Sequence, residues 1–181
     1  MRAVVGLGNP GPDYAATRHN AGYRLADAVA SHWRLPPFGR GERARTTEGV
    51  VEGTAVRVLK PTTYMNHSGA ALAPLRNDPS FDPSRDLLIL VDDFAIPCGT
   101  FRLRPNGSAG GHNGLKSVEG ALQSQQYARM RVGVGPLPEG TEDWSEYVLA
   151  PFDPEQAEQL DTLMPQMVDA VDRWLREGFP P

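Results

Sequence analysis

Residues that can activate a water molecule for hydrolysis stand at the edges of predicted loops. His19 lies where a predicted loop meets a predicted helix, and Asp92 directly follows the most apolar run of the chain. General-base hydrolysis needs an imidazole that accepts a proton, an acid that orients the imidazole, and amide donors for the developing oxyanion. Asn9, Asn66 and Asn113 are candidate amide donors, although asparagine is also a common turn residue. Together these residues indicate hydrolysis by an activated water molecule.

The chain offers little support for covalent catalysis or for a metal site. Ser108 lies in the sequence GSAG, but the nucleophile-elbow motif G-x-S-x-G needs glycine where Asn106 stands. Cys98 is the only cysteine, so an intramolecular disulfide is excluded, and we expect an inert thiol. The four histidines lack metal-ligand spacing, and His32 is expected on the surface of a helix. We expect His112 to make a structural hydrogen bond, and we expect neither a metal nor a cofactor.

A glycine-rich segment at residues 6–11 (GLGNPG) matches the dinucleotide-binding pattern G-x-G-x-x-G after a predicted strand. Binding a pyrophosphate there requires a helix that opens within the loop, so that its backbone N–H groups meet the ligand. Pro10 has no N–H, and the acid nearest the expected spacing, Asp27, falls inside a predicted helix. We therefore favour a tight turn that presents Asn9, and a nucleotide-dependent oxidoreductase is the least favoured alternative.

Strands that alternate with helices must position these residues. The predicted strands cover residues 2–7, a hairpin over 44–60, and residues 87–91, 100–104 and 129–134; the predicted helices cover residues 20–33, 66–75, 114–122 and 153–177. This alternation indicates an α/β fold with a single domain over residues 1–181. Asp92 and Asp93 lie at the carboxyl end of the predicted central strand, where sites gather in α/β sheets, and we expect one to point inward and the other outward.

Charge is unevenly distributed along the 181 residues. The formal net charge is −4, but residues 1–131 carry 16 basic and 11 acidic side chains, a net of +5, whereas residues 132–181 carry 2 and 11, a net of −9. Such asymmetry can mark an anionic partner for one face, although a solvated acidic helix also produces it. The apolar runs are far shorter than the ~20 residues that span a bilayer, and the start of the chain lacks a signal-peptide pattern. We therefore expect a cytoplasmic protein without membrane contact.

Several segments keep an order and spacing that extend over nearly the whole chain. They are residues 6–11 (GLGNPG) with Tyr14, residues 17–22 (TRHNAG), residues 60–69 (KPTTYMNHSG), Asp92 with Asp93, residues 107–117 (GSAGGHNGLKS), residues 131–135 (RVGVG) and residues 147–149 (YVL). Together they resemble the bacterial peptidyl-tRNA hydrolase family. The resemblance implies a monomer with a twisted mixed β-sheet flanked by helices. It also implies hydrolysis, without a metal, of the ester between a peptide and the 3′ ribose of tRNA, which recycles the tRNA.

The resemblance also assigns roles to individual residues. His19 falls on the family's general base for water, and Asp92 falls on its partner acid. The family's substrate site falls on Asn9, Tyr14, Met65, Asn66 and Asn113, and its contacts to tRNA phosphates fall on Arg102, Arg104 and Arg131. The alternative is a non-catalytic RNA-binding relative, since plant organellar splicing factors share this fold. The presence of both His19 and Asp92 favours the enzyme.

The sequence departs from the family pattern at a few positions. Ala95 replaces an acid in the segment that follows the paired aspartates, which leaves the pair of His19 and Asp92 intact. Arg102 and Arg104 stand where lysine is common, which keeps the charge but changes the geometry of phosphate binding. The sequence stops at residues 179–181 (FPP), without the longer basic tail of many relatives, which puts contacts from such a tail to tRNA in doubt.

Overall fold

A seven-stranded β-sheet organises the protein. The computed structural model describes residues 1–179; Pro180 and Pro181, which belong to the predicted domain, lie outside the described residues. The strands are β1 (Arg2–Gly6), β2 (Gly39–Arg40), β3 (Ala44–Val51), β4 (Thr54–Pro61), β5 (Leu87–Pro97), β6 (Phe101–Arg104) and β7 (Ala128–Gly135). The helices are α1 (Ala21–His32), α2 (Ala73–Arg76), α3 (Pro83–Asp86), α4 (Asn113–Leu122), α5 (Trp144–Val148) and α6 (Pro154–Glu177), with a first 3-10 helix at Arg18–Asn20 and a second at Met65–Leu72.

The sheet is mixed, as predicted, with strand order β2-β3-β4-β1-β5-β7-β6. Strands β4, β1, β5 and β7 run parallel, while β2, β3 and β6 pair antiparallel with their neighbours. Side chains alternate between the two faces of β5: Leu88 and Leu90 join the core with α1 and α6, whereas Ile89 and Val91 join the core with α4 and the second 3-10 helix. Both faces of the central strand are therefore buried, which explains its continuous apolar sequence.

Glycines let helix α1 begin directly against the sheet. A Cβ atom on Gly22 would lie 2.4 Å from the Leu90 carbonyl oxygen, and one on Gly6 would lie 2.3 Å from the Gly22 carbonyl oxygen. The glycine-rich segment at residues 6–11 thus serves close packing, and α1 begins only at Ala21, well after that loop. This geometry differs from that of a dinucleotide-binding loop, in which the helix opens within the glycine motif.

The structure differs from the predicted elements in several places, including the short strand β2, which was not predicted. Residues 65–72 form a 3-10 helix with a kink at His67, and only Ala73–Arg76 is α-helical, where the periodicity predicted a single helix. Strand β5 continues to Pro97 because it keeps pairing with β7 beyond an irregularity after Asp93. The short helices α3 and α5 were absent from the prediction, since each is capped by one aspartate rather than marked by an apolar period.

Within residues 1–179, no helix is both long and apolar enough to cross a bilayer.

Candidate active site

Two imidazoles bind the two oxygens of one buried carboxylate. Nδ1 of His19 lies 2.7 Å from Oδ2 of Asp92, and Nε2 of His112 lies 2.8 Å from Oδ1 of the same residue. Nδ1 of His112 accepts hydrogen bonds from the backbone N–H groups of Gly114 and Leu115, so its proton must lie on Nε2 and is donated to Asp92. His19 likewise donates from Nδ1, which leaves its Nε2 as an acceptor.

Three separate elements bring this triad together. His19 lies in the first 3-10 helix, Asp92 lies in the part of β5 that pairs with β7, and His112 caps the amino terminus of α4. The expectation that one of the paired aspartates points inward is confirmed: Asp92 is buried, and Asp93 lies on the other face beside Arg131. The predicted structural hydrogen bond of His112 is also confirmed, and its partner connects His112 directly to the proposed catalytic pair.

The carboxylate of Asp92 is held in its ionised form. Asp92 is 2% exposed, and burial by itself would raise its pKa, but the imidazoles of His19 and His112 hold the pKa well below its usual range. A carboxylate that stays ionised can keep both imidazoles oriented and can stabilise an imidazolium that forms at His19 during proton transfer.

The same three side chains also fit the composition of a metal site. Ligand atoms of His19, Asp92 and His112 all lie within 4.8 Å of one another, a grouping that their sequence spacing did not indicate. The donor set argues against a cation, because both Asp92 oxygens already accept hydrogen bonds and Nδ1 of His112 faces two N–H groups of α4. A bound ion would have to displace these hydrogen bonds, so we interpret the cluster as a hydrogen-bonded triad.

A pocket of about 380 Å³ opens above His19. It gathers all five predicted substrate residues, and its lining is Asn9, Tyr14, His19, Tyr64, Met65, Asn66, Asn113, Trp144, Ser145, Val148 and Leu149. Asn9 is buried; its Oδ1 atom accepts a hydrogen bond from the backbone N–H of Met65, so Nδ2 is the donor that it can offer to a substrate. Asn66 and Asn113 are exposed at the pocket surface.

The sequence reasoning missed several residues that line the pocket or support its lining. Asn20 fixes the loop of Asn9, because its side chain bonds both the N–H and the carbonyl oxygen of Asn9. Tyr64 has φ 61° and ψ 157°, a region that residues other than glycine occupy only with strain of about 1–3 kcal/mol. Its ring meets that of Tyr14 edge to face, with 6.2 Å between centroids.

Helix α5 forms one wall of the pocket. In the sequence, only the match of residues 147–149 to the family motif pointed to this region.

The predicted phosphate-binding arginines lie outside the pocket lining, on strands β6 and β7. Arg102 pairs with Arg131 in the antiparallel register, and Arg104 pairs with Arg129. Arg102 and Arg104 are exposed, whereas the side chain of Arg131 is 19% exposed, contacts Asp93 at 3.4 Å and donates to the Ser108 carbonyl oxygen at 2.7 Å. Arg129 is fully buried, so the basic surface consists of the exposed Arg102 and Arg104 with the partly exposed Arg131 beside them.

The remaining sequence candidates lie elsewhere. His32 is exposed on α1, as predicted, and bonds Asp172 at 2.7 Å. Cys98 is half-buried, and burial raises the pKa of its thiol, which is consistent with an inert side chain.

The chain is similar to known proteins over nearly its whole length. A model of the family described as peptidyl-tRNA hydrolase matches residues 3–181. A peptidyl-tRNA hydrolase from Gemmatimonas aurantiaca is 42% identical over 180 residues, which cover 98% of this chain and 95% of that protein. One from Chloroflexus aggregans is 42% identical over 179 residues, which cover 99% of this chain and 95% of that protein.

A solved structure shares the fold as well. The crystal structure of peptidyl-tRNA hydrolase from Acinetobacter baumannii matches with a TM-score of 0.89 and 31% identity, covering 97% of this chain and 89% of that one. Sequence and structure thus agree over nearly the whole length. The chain therefore belongs to the peptidyl-tRNA hydrolase family, and its activity is the hydrolysis of peptidyl-tRNA.

Proposed function

We propose that His19 is the general base that activates water for cleavage of the ester between the peptide and the 3′ ribose of tRNA. The hydrogen bond between His19 Nδ1 and Asp92, at 2.7 Å, carries this proposal, because it leaves Nε2 of His19 to accept a proton at the pocket. The resulting hydroxide attacks the ester carbonyl carbon, and the proton then passes to the departing ribose oxygen. Asp92 stabilises the imidazolium in between, and no metal takes part.

Asparagine side chains supply the polar contacts to the peptide. Nδ2 of Asn9 is available as a donor because its Oδ1 accepts from Met65. Asn66 and Asn113 present amides at the same pocket, where they can stabilise the oxyanion and bind the first amide of the peptide. Aminoacyl-tRNA carries a charged free amine in place of that amide, so these contacts select substrates whose amine is blocked.

The basic surface of β6 and β7 binds phosphates of tRNA. Arg102 lies directly opposite Arg131 in the antiparallel register, where like charges repel each other; Asp93 offsets the charge of Arg131, and a bound phosphate would offset that of Arg102. Guanidinium groups suit this contact because they bind phosphate oxygens with two parallel hydrogen bonds. The pocket and this surface lie within one chain, which supports action as a monomer, and a tRNA substrate supports a cytoplasmic location.

A direct assay tests the activity and its selectivity. N-acetyl-aminoacyl-tRNA and unblocked aminoacyl-tRNA are each incubated with the protein, with and without EDTA, and the release of free tRNA is followed. We expect release from the blocked substrate only, at a rate that EDTA does not change. Intact blocked substrate would contradict the hydrolase and favour the RNA-binding alternative, and inhibition by EDTA would contradict the metal-free mechanism.

His19→Ala tests the assignment of the base. Loss of a general base costs roughly 10²–10⁴-fold in rate, so we expect kcat to fall by at least the lower figure while the affinity for tRNA is retained. His32→Ala is the matched control, because His32 is exposed and bonds Asp172 far along the chain from the pocket residues. A kcat for His19→Ala close to that of the control would reject His19 as the base.

A further inference from the structure

Arg18, the residue before the proposed base, carries a buried charge that the mechanism above does not use. It is 4% exposed, and its Nε and Nη2 atoms donate to Oε1 of Gln156 at 3.2 and 2.9 Å. Nη1 donates to the carbonyl oxygen of Tyr147 at 3.0 Å, and the guanidinium stacks on the Tyr147 ring at 3.9 Å. Oδ1 of Asp153 lies 3.4 Å from Nη2. Every one of these partners belongs to α5 or to the start of α6.

The backbone of the same segment reinforces this connection. The N–H of Arg18 donates to the carbonyl oxygen of Ala150 at 3.0 Å, and Thr17 forms an isolated antiparallel bridge with Pro151. The chain that leaves α5 is therefore tied by its backbone to the chain that leads into His19. Arg18 extends this tie through its side chain.

Helix α5 depends on such ties for its position. It has only five residues, Trp144–Val148, and a helix of that length is unstable on its own. Its other anchors include a hydrogen bond from the Tyr147 hydroxyl to the Val134 carbonyl oxygen at 2.6 Å, one from Nε2 of Gln156 to the Tyr147 hydroxyl at 3.2 Å, and the stacking of Trp144 on Phe94 at 5.8 Å. Trp144 and Val148 nevertheless line the pocket that contains His19.

We propose that Arg18 is a positioning residue that holds helix α5 in place as a wall of the substrate pocket and so sets the affinity for the peptide part of the substrate. This inference rests on the proposed function of the pocket. Arg18 and His19 are adjacent but face different partners: the imidazole bonds Asp92, and the guanidinium bonds α5 and α6. Removing the guanidinium therefore disturbs the wall and leaves the hydrogen bond of the base in place.

Steady-state kinetics of Arg18→Met separate these two effects. We expect KM for N-acetyl-aminoacyl-tRNA to rise roughly 10-fold while kcat changes less than about 3-fold, because the lost contacts serve ground state and transition state alike. The affinity for deacylated tRNA, which lacks the peptide, should stay unchanged. Arg24→Ala is the matched control, because Arg24 is another arginine near α6, bonded to Asp161, and lines no part of the pocket.

Hydrogen exchange and two further variants make the test independent of one substitution. Amides of residues 144–150 should exchange faster in Arg18→Met than in the wild type, while amides of β1 and β5 should not change. Arg18→Lys keeps the charge but loses the planar fork, so KM should recover only in part. Gln156→Ala removes the acceptor of two Arg18 donors and should raise KM, even if Arg18→Met does not fold. Gln156 also donates to the Tyr147 hydroxyl, so Tyr147→Phe, which removes the bonds of that hydroxyl but keeps the hydrogen-bond acceptors of Arg18, is measured beside it and should raise KM less.

Each outcome decides between clear alternatives. A fall in kcat with unchanged KM would overturn the proposal, because it would mean that Arg18 positions His19 rather than the pocket wall. Unchanged KM and unchanged exchange in both Arg18→Met and Gln156→Ala would overturn it as well. A wild-type protein that does not cleave the blocked substrate would instead contradict the proposed function, so the two failures are distinguishable.

Discussion

At the scale of single residues, the site depends on where protons lie. His19 and His112 bond the same carboxylate, but they differ in their second ring nitrogen. Nδ1 of His112 accepts from two N–H groups of α4, whereas His19, which lines the pocket, uses its Nδ1 for Asp92 and keeps Nε2 as an acceptor. One imidazole is thus fixed as a donor to Asp92, and the other keeps an acceptor for the proton of water. The chemistry follows from the hydrogen bonds around Asp92 more than from the residue types alone.

Asp92→Asn should change how stability depends on pH. The pKa of Asp92 in the folded protein lies below its unfolded value, so the ionised carboxylate stabilises the fold above about pH 4, and this contribution disappears as the pH falls towards the folded pKa. We expect Asp92→Asn to be less stable at pH 7 by about 1.5–3 kcal/mol, the range for hydrogen bonds to charged groups. The difference from wild type should shrink below about pH 4.

Urea unfolding at several pH values measures this effect. Asp93→Asn is the matched control, because Asp93 is the adjacent carboxyl and its side chain accepts from the Ala95 N–H and pairs with Arg131. A loss of stability for Asp92→Asn that is the same at pH 7 and at pH 3 would contradict an ionised carboxylate at the centre of the triad.

At the scale of elements, the pocket requires the second 3-10 helix to lie very close to α4. A Cβ on Gly69 would lie 2.2 Å from the carbonyl oxygen of Ser117, and the N–H of Gly69 bonds the Ser117 hydroxyl at 2.9 Å. This approach brings Met65 and Asn66 beside Asn113, so that residues from two elements share one pocket.

Gly69→Ala should therefore destabilise the protein. The added methyl group meets backbone rather than a flexible side chain, and overpacking of this kind costs about 1–3 kcal/mol. Gly120→Ala is a matched control within α4, because its Cβ would point into open space and alanine favours a helix over glycine by about 0.5–1 kcal/mol. Denaturant midpoints of the two variants should move in opposite directions, and equal midpoints would contradict the close packing.

At the scale of the whole molecule, the negative net charge is the sum of a basic segment and a more strongly acidic segment. The segment of residues 1–131, with a net charge of +5, contains the triad, the asparagines and the arginines of β6 and β7. The segment of residues 132–181, with a net charge of −9, contains α5 and α6. The proposed site for an anionic substrate is thus built largely from the basic part of the chain.

Replacing Arg102 and Arg104 together by alanine should weaken tRNA binding and reduce its dependence on salt. Each phosphate contact that is lost lowers the slope of log K against log salt by about 0.7–0.9. Arg24→Ala serves as the control for a lost charge away from the basic strands, since Arg24 pairs with Asp161 on α6. Binding isotherms for deacylated tRNA at several salt concentrations supply the slopes. A slope that is the same in the double variant and in the control would contradict a phosphate role for these arginines.

Much of the fold was predictable because it depends on local patterns. The apolar run of residues 87–91 and the turn signals around it predicted the central strand, and the alternation of strands and helices predicted the α/β class. The second 3-10 helix was predicted as an α-helix, because periodicity does not show that Gly69 must contact Ser117. Helix α5 was missed for a related reason: it has five residues and is held by distant partners.

By itself, the sequence determined which side chains are available and which family they resemble: His19, Asp92 and three asparagines lie in recognisable local segments, and those segments can be identified without coordinates. Only the tertiary structure decided how these side chains are paired. His112 meets Asp92 because the start of α4 lies beside the middle of β5, and Arg18 meets Tyr147 although 129 positions separate them. The physical reason is that a hydrogen bond depends on atoms within about 3 Å of each other, and local sequence patterns do not carry distances between segments that are remote along the chain.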